Sequence, residues 1–230
     1  MEVQNDTTGC LDRHSQITHC LRARMIDWMI EVLTNFKCDD QTFFLAVSLM
    51  DRYFKGCIDI KQIGDLHVTG VTTMFVASKF EDIYPLKMKT VYEKIAHQKI
   101  EMQTIKTLEL DIMKVIQYKI HAPTVLDFLK VFLIQVLKIE ICNRTETKKK
   151  EEFALKCNGK GDKGKSPEVS ESSSETFVPT PEDHAKVQDY LIEKMAIYLA
   201  KMSMHDEYLS CKRPSLLAVG SIYVALKICE

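Results

Sequence analysis

The sequence lacks the motifs that most directly assign a redox or metal chemistry. Its eight cysteines form no C-x-x-C pair, and none of its seven histidines belongs to an H-E-x-x-H motif. Free thiols in a reducing compartment are therefore expected, and a zinc site has no support. We expect neither a metal nor a cofactor.

The chain also has no excess of charge of either sign. It holds 31 Lys and Arg residues against 32 Asp and Glu residues, which gives a formal net charge of -1 over 230 residues. Proteins that bind nucleic acid through its phosphates usually carry a basic surplus. The overall charge therefore argues against a nucleic-acid partner.

Long hydrophobic runs are missing as well. The longest apolar run, 125–141, is interrupted by Asp127, Lys130 and Lys138, which is typical of an amphipathic helix rather than a membrane span. The first nine residues are too polar to form a signal peptide. We expect an intracellular, soluble protein with no membrane partner.

Strand signals are weak, whereas helical spacing of apolar side chains is strong along most of the chain. This periodicity predicts an all-α fold. Pro123 is expected in the first turn of its helix, where its missing N–H does no harm. The predicted helices are 21–36, 42–54, 61–82, 88–96, 102–117, 123–141, 187–202 and 214–228.

The composition changes sharply after residue 142. The stretch 143–176 contains a lysine run, a Gly/Lys cluster and a Ser/Glu run, with too few apolar residues to offset the entropy cost of ordering. We predict a disordered insertion at about 143–178. Inside it, 159–166 matches G-x-x-x-x-G-K-[ST], but no convincing buried strand precedes the match and no helix follows it. We interpret this match as a product of biased composition.

A ten-residue pattern occurs twice. Residues 71–80 and 219–228 both read Val, two small residues, an aliphatic, an aromatic, Val, Ala, any residue, Lys and an apolar residue. Each lies in the third predicted helix of its half, which favours an internal structural repeat. Small side chains on one flank of the first copy, with Ala77 and Ser78 among them, let neighbouring helices approach closely. We therefore expect 61–82 to be a central helix.

Four blocks of the chain resemble the cyclin family, in particular its A- and B-type (mitotic) members. The resemblance runs from about residue 17 to residue 228 outside the insertion, and it implies two five-helix cyclin boxes in tandem. A polar lead would occupy 1–18, the first box 19–121 and an incomplete second box 122–230. The blocks are LRARMIDW at 21–28 followed by Glu31-Val32, AVSLMDRYF at 46–54, ASKFEDIYP at 77–85 and APTV at 122–125.

The resemblance implies a nuclear and cytoplasmic regulatory subunit, not an enzyme, that binds and activates a cyclin-dependent protein kinase and so controls cell-cycle progression at mitotic entry. In the family, a Lys and a Glu clamp the backbone around the kinase's regulatory helix, and they fall here on Lys79 and Glu109. Ammonium groups donate to free carbonyls and carboxylates accept from amides. From spacing alone, two solvated charges are the alternative. The apolar groove expected beside them is formed by Val76, Phe80, Met113, Tyr118 and Ile120.

The family's second surface docks Arg-x-Leu segments of substrates or inhibitors. The matching positions here are Leu21, Arg24, Met25, Trp28, Glu31 and His67. Arg24 replaces a usual aliphatic residue, and a cation in this patch would repel the ligand's Arg, so we expect weakened or altered docking. The alternative is that Trp28 and its neighbours are core residues only.

The resemblance implies that Arg22 and Asp51 form a partly buried structural ion pair between the first two helices. Each also interrupts an apolar face, where an unpaired charge is costly. A function from another class also stays open, namely a transcription factor of tandem cyclin folds that binds DNA. Basic helix faces would favour it, whereas the near-neutral charge and the acidic Glu81 and Asp82 disfavour it.

Overall fold

The structure is a computed structural model that describes residues 7–135, 137–138 and 181–229, without the side chains of 181–184. The predicted insertion at 143–178 and the phosphate-loop match at 159–166 lie outside the described residues. All regular elements in the described ranges are helical, so the prediction of an all-α fold is confirmed.

The described chain contains nine α-helices and one π-helical turn. The first half, α1 to α5, follows the predicted helices closely, whereas the short α8 was not predicted. The bounds are α1 His19–Asn35, α2 Asp40–Gly56, α3 Ile63–Glu81, α4 Met88–Thr90 continued by a π-helical turn Val91–Ile95, α5 Met102–Val115, α6 Val125–Gln135, α7 Pro181–Ser203, α8 Glu207–Ser210 and α9 Pro214–Cys229.

Helix α3 lies at the centre of the first half, in contact with α1, α2, α5 and the π-helical turn. It is buried continuously from Thr69 to Ser78, as expected for a helix with small residues among its bulky ones. Gly70 shows why size matters here, because a Cβ at that position would lie 1.9 Å from Cε of Met25 on α1. The small residues therefore let α1 pack directly on the α3 backbone.

Helix α9, which carries the second copy of the repeated pattern, packs against α6 and α7. Its small residues Ala218, Ser221 and Ala225 are buried, as on α3. Its other side differs from α3, because Val219 and Tyr223 are exposed in the part of the chain that the structure describes. Both copies of the pattern thus pack their small residues against neighbouring helices. The copy on α3 is buried on more sides than the copy on α9.

The bounds of α6 differ from the prediction at both ends. Thr124 precedes the helix and Asp127 lies in its first turn, and the Asp127 carboxylate accepts from the Thr124 backbone N–H at 2.7 Å. Pro123 consequently lies before the helix and not in its first turn. At the other end α6 stops at Gln135, short of the predicted residue 141, because Leu137 N–H donates to Phe132 O at 3.3 Å and Lys138 has a positive φ of 56°.

Residues 7–18, predicted as part of a polar lead, contain five buried residues: Thr7, Cys10, Leu11, His14 and Ile17. His14 is completely buried and ties this segment to the connection between α2 and α3. Its Nδ1 accepts from Lys61 N–H at 3.0 Å, so its Nε2–H donates to Phe54 O at 2.8 Å.

We expect His14→Ala to lower the free energy of unfolding by about 1–3 kcal/mol, since it removes both hydrogen bonds of a completely buried ring and leaves the partly buried Lys61 N–H without this acceptor. Urea unfolding followed by circular dichroism measures this loss. Ser15→Ala is the matched control, because Ser15 is exposed next to His14. Identical urea midpoints for His14→Ala and wild type would contradict the assigned hydrogen bonds.

Candidate functional site

The structure brings Lys79 and Glu109 together, although 30 positions separate them. Lys79 lies in the last turn of α3 and Glu109 in the middle of α5, and Nζ of Lys79 forms an ion pair with Oε1 of Glu109. The lysine ammonium also lies 4.2 Å from the ring centroid of Phe75. Both side chains are partly exposed, so the pair stabilises the fold little and stays available to a partner.

The residues predicted to form the groove differ in exposure. Phe80 is 48% exposed and Tyr118 is 65% exposed, whereas Met113 and Ile120 are half-buried and Val76 is buried. The Phe80 ring stacks on His121 with centroids 6.3 Å apart, a contact that sequence reasoning missed. Phe80 follows Lys79 directly on α3, and Met113 lies one helical turn after Glu109 on α5, so each charged residue has an exposed or half-buried apolar neighbour on its own helix.

Arg52 on α2 holds the loop that carries Tyr118 and Ile120. Its Nη1 donates to Ile120 O at 3.1 Å, and its Nη2 donates to the carbonyl of Lys119. Burial lowers the pKa of Arg52 from its ordinary value. Tyr118 itself has a φ of 58°, a left-handed conformation that the hydrogen bond from its N–H to Met113 O supports.

The connection after α3 is also fixed by hydrogen bonds. The buried Ser78 hydroxyl accepts from Leu86 N–H at 2.9 Å, and Asp82 accepts from the backbone N–H of Asp39 at 2.7 Å. Between these anchors, Ile83 and Tyr84 are almost completely exposed. They extend the apolar surface beyond Phe80, and sequence reasoning had given them no role.

Arg22 and Asp51 form a bidentate pair in the core. Nε of Arg22 donates to Oδ1 of Asp51 at 2.8 Å and Nη2 donates to Oδ2 at 2.6 Å. Burial alone would lower the pKa of Arg22, but the charge and hydrogen bonds of Asp51 raise it above the ordinary value. Burial, with the Asp51 charge second, also raises the pKa of the neighbouring Cys10 thiol.

The same guanidinium reaches the second half of the chain, which the sequence did not indicate. Nη1 of Arg22 donates to Met204 O at 2.9 Å, and Nη2 donates to the Ser210 hydroxyl at 3.2 Å. Nearby, Nε2 of His205 lies 2.7 Å from Oδ1 of Asp27. Arg22 therefore joins three places: α1, α2 and the segment that follows α7.

The predicted docking residues lie on α1 and α3. The rings of Trp28 and His67 are in contact, with centroids 4.9 Å apart. Leu21 is half-buried, and Arg24 and Glu31 are exposed. Met25 differs from the others, because it is buried against α3 and supports the surface from below.

Two residues that interact with His67 were not predicted from the sequence. Burial, followed by Coulombic interaction with Lys99 and His97, lowers the pKa of His67. Both residues belong to the turn between the π-helical turn and α5, where His97 has a φ of 49°. The conformation of this turn determines where His97 and Lys99 lie relative to α3. The sequence pattern therefore could not predict their interaction with His67.

The described residues contain no group of three or more His, Cys, Asp and Glu side chains arranged to hold a metal ion. Within the same residues, no helix combines the length and apolar character needed to cross a membrane.

Comparison with known proteins identifies the family. The family described as "Cyclin, N-terminal domain" matches residues 2–121. Cyclin-A2 of Homo sapiens is 32% identical over 136 residues, which cover 58% of this chain and 31% of that protein. G2/mitotic-specific cyclin-B of Arbacia punctulata is 36% identical over 122 residues, which cover 52% of this chain and 29% of that protein.

A solved structure supports the fold. The X-ray structure of a viral cyclin from herpesvirus saimiri matches with a TM-score of 0.67 at 17% identity, covering 97% of this chain and 76% of that one. The matches span about a third of the length of the curated relatives. Because the domain match extends over more than half of the chain, this protein belongs to the cyclin family, and its curated relatives are cyclins of the A and B types.

Proposed function

We propose that this chain is a regulatory subunit that binds and activates a cyclin-dependent protein kinase by holding and repositioning its regulatory helix. The observation that carries the proposal is the partly exposed Lys79–Glu109 pair beside an apolar surface at the junction of α3 and α5. A helix boundary offers free carbonyls and free amides, and this pair supplies a donor for the former and an acceptor for the latter.

Binding would exchange one set of contacts for another. In the free protein Lys79 donates to Glu109, whereas in the complex each would bind kinase backbone. The surface formed by Phe80, Tyr118 and Ile120 would receive an aliphatic side chain of the regulatory helix. A kinase is active when a Glu of that helix pairs with its nucleotide-binding Lys, so a partner that holds the helix inward shifts the population toward the active state.

We infer a role in cell-cycle progression, at mitotic entry, with the protein present in nucleus and cytoplasm and without catalytic chemistry of its own. The name of the Arbacia punctulata relative, G2/mitotic-specific cyclin-B, supports this phase. DNA binding is not proposed, because the net charge is -1 and the surface at Phe80 is apolar.

The docking patch on α1 and α3 is part of the same proposal. We propose that it binds Arg-x-Leu segments weakly, because Arg24 is exposed within one helical turn of Trp28. A ligand Arg placed on Trp28 would meet a like charge.

We expect the double variant Lys79→Ala/Glu109→Ala to lose kinase retention and kinase activation. Hot-spot residues contribute about 2 kcal/mol or more to binding, so the affinity should fall roughly 30-fold or more. Co-purification with cyclin-dependent kinase subunits, followed by a histone kinase assay, measures both effects.

Lys89→Ala/Glu93→Ala is the matched control, since it removes another Lys–Glu pair, with an N···O distance of 3.9 Å, on α4 and the π-helical turn. It should retain and activate the kinase as wild type does. Equal activation by wild type and Lys79→Ala/Glu109→Ala would reject the clamp. A wild-type chain that retains no kinase would reject the proposed function itself.

A further inference from the structure

We propose that Tyr84 is a phosphorylation site for a protein tyrosine kinase, and that a phosphate there weakens binding of the cyclin-dependent kinase. The effect on binding rests on the proposed function, whereas the modification itself does not. In the reaction the Tyr84 hydroxyl oxygen bonds to the γ-phosphorus of ATP and the bond to ADP breaks. The phenolic proton passes to the catalytic Asp of the tyrosine kinase.

Tyr84 is the most exposed of the eight tyrosines of the chain. Its exposed fraction is 92%, against 71% for Tyr208 and 65% for Tyr118, while Tyr53 and Tyr190 are buried. An acceptor hydroxyl must enter the cleft of the modifying kinase before it can attack ATP, so a side chain that projects from the surface is favoured. Tyr84 meets this requirement in the folded chain.

The backbone around Tyr84 also suits a peptide-binding cleft. Residues 82–87 connect α3 to α4 outside any helix, and the two end residues of this loop have extended φ and ψ. Pro85 favours the same extended conformation for Tyr84. Tyr208 and Tyr223, by contrast, belong to α8 and α9. An extended loop can enter a cleft without losing helical hydrogen bonds, whereas a helix must first unwind.

Hydrogen bonds hold both ends of the loop. The Ser78 hydroxyl accepts from Leu86 N–H at 2.9 Å, and the Asp82 carboxylate accepts from Asp39 N–H at 2.7 Å. Leu86 is also buried. The loop is therefore anchored in the core on both sides of Tyr84, and a phosphate can be added to the projecting ring without disturbing either anchor.

The charges around the loop determine what a phosphate would do there. Those near Glu81 or within the loop are acidic at Asp39, Glu81, Asp82 and Asp127, and basic at Lys87, His121 and Lys130. Lys79 already pairs with Glu109. A tyrosine phosphate adds about −1.5 to −2 charges at pH 7. Because carboxylates are in excess, the phosphate would meet repulsion and stay exposed.

A phosphate in this position would act on the kinase surface. Phe80, which is 48% exposed, lies four residues before Tyr84 at the end of α3. A dianion at the edge of an apolar surface loses part of its hydration when a partner covers that surface. We therefore expect the affinity for the cyclin-dependent kinase to fall roughly tenfold or more. Because coupling is reciprocal, the bound kinase should also protect Tyr84 from phosphorylation.

The test treats the full chain with a recombinant tyrosine kinase domain and Mg–ATP, and mass spectrometry locates the phosphate. We expect Tyr84 to be the main acceptor, and we expect treated wild type to lose retention of the cyclin-dependent kinase. Tyr84→Phe keeps the ring without the hydroxyl, so treatment should not change its retention. Tyr208→Phe is the matched control, since it removes the next most exposed hydroxyl and should respond to treatment as wild type does.

Two further measurements complete the test. Treated and untreated wild type should have the same melting temperature, because Tyr84 is outside the core. Addition of the cyclin-dependent kinase before treatment should slow phosphorylation of Tyr84 while leaving that of Tyr208 unchanged.

Several outcomes would overturn the inference. Phosphate mainly on Tyr208 or Tyr118 would remove the site. Full kinase retention by chain phosphorylated at Tyr84 would remove its effect, and so would a lowered melting temperature, since lost binding would then reflect unfolding. An untreated wild-type chain that retains no cyclin-dependent kinase would reject the proposed function, whereas phosphate on Tyr84 in the same sample would still support the modification site.

Discussion

Arg22→Ala is expected to lower the free energy of unfolding by about 3–5 kcal/mol, because removing one partner of a buried ion pair leaves the other charge uncompensated. The bidentate contact with Asp51 is lost, and the bonds to Met204 O and the Ser210 hydroxyl are lost with it. Thermal and urea unfolding measure the loss. Kinase retention should fall in parallel, since α1 and α2 support the helix that carries Lys79.

Two variants sharpen this test. Arg24→Ala makes the same change two residues along α1 at an exposed position, and it should alter stability by no more than about 0.5 kcal/mol. Arg22→Met/Asp51→Leu removes both charges and should recover part of the loss. The remaining deficit then measures the hydrogen bonds to the second half of the chain. A wild-type melting temperature for Arg22→Ala would refute the structural role of the pair.

Ile112→Ala is expected to cost about 2–5 kcal/mol, because Ile112 is completely buried on the face of α5 that packs into the core. The cost combines lost burial with the cavity left behind. The same helix carries Glu109, so a loosened α5 should also weaken kinase retention. Unfolding monitored by circular dichroism gives the first effect, and co-purification gives the second.

Leu110→Ala is the control for this prediction. It removes a side chain of similar size from the same helix, but Leu110 is 58% exposed. Its effect on stability should therefore be within about 0.5 kcal/mol. Equal losses for the two variants would mean that α5 does not bury the face assigned to it.

The periodicity of apolar residues was sufficient to predict the longer helices, although not all of their ends, because burial of one face leaves a 3.6-residue pattern. It could not place Lys79 beside Glu109, since two charged residues on different helices have no spacing in common. The resemblance to cyclins singled out both residues as contacts for a kinase, and that role stays a prediction. Their contact with each other, between Lys79 Nζ and Glu109 Oε1, is a finding of the structure.

Several contacts and helix ends could not be predicted from the sequence, and each has a physical reason. The Arg22 guanidinium binds Met204 through a backbone carbonyl, a group that every residue has. His97 and Lys99 reach His67 only through a turn with positive φ. The start of α6 is set by the Thr124–Asp127 hydrogen bond, and residues beyond its end include Lys138, which has a positive φ. Such local features move the end of a helix but leave no mark on the spacing of its apolar residues.

The Arg22 contacts also have a consequence for the order of events during synthesis. The bond from Arg22 to Met204 O spans 182 positions, whereas the bond to Asp51 spans 29. A chain emerging from the ribosome can form the bond between Arg22 and Asp51 early. It can form the bond between Arg22 and Met204 O only when most of its length has been made. The buried Arg22–Asp51 pair therefore gains its last hydrogen bonds from residues translated near the end of the chain. Until those residues have been made, the guanidinium lacks part of its native set of acceptors.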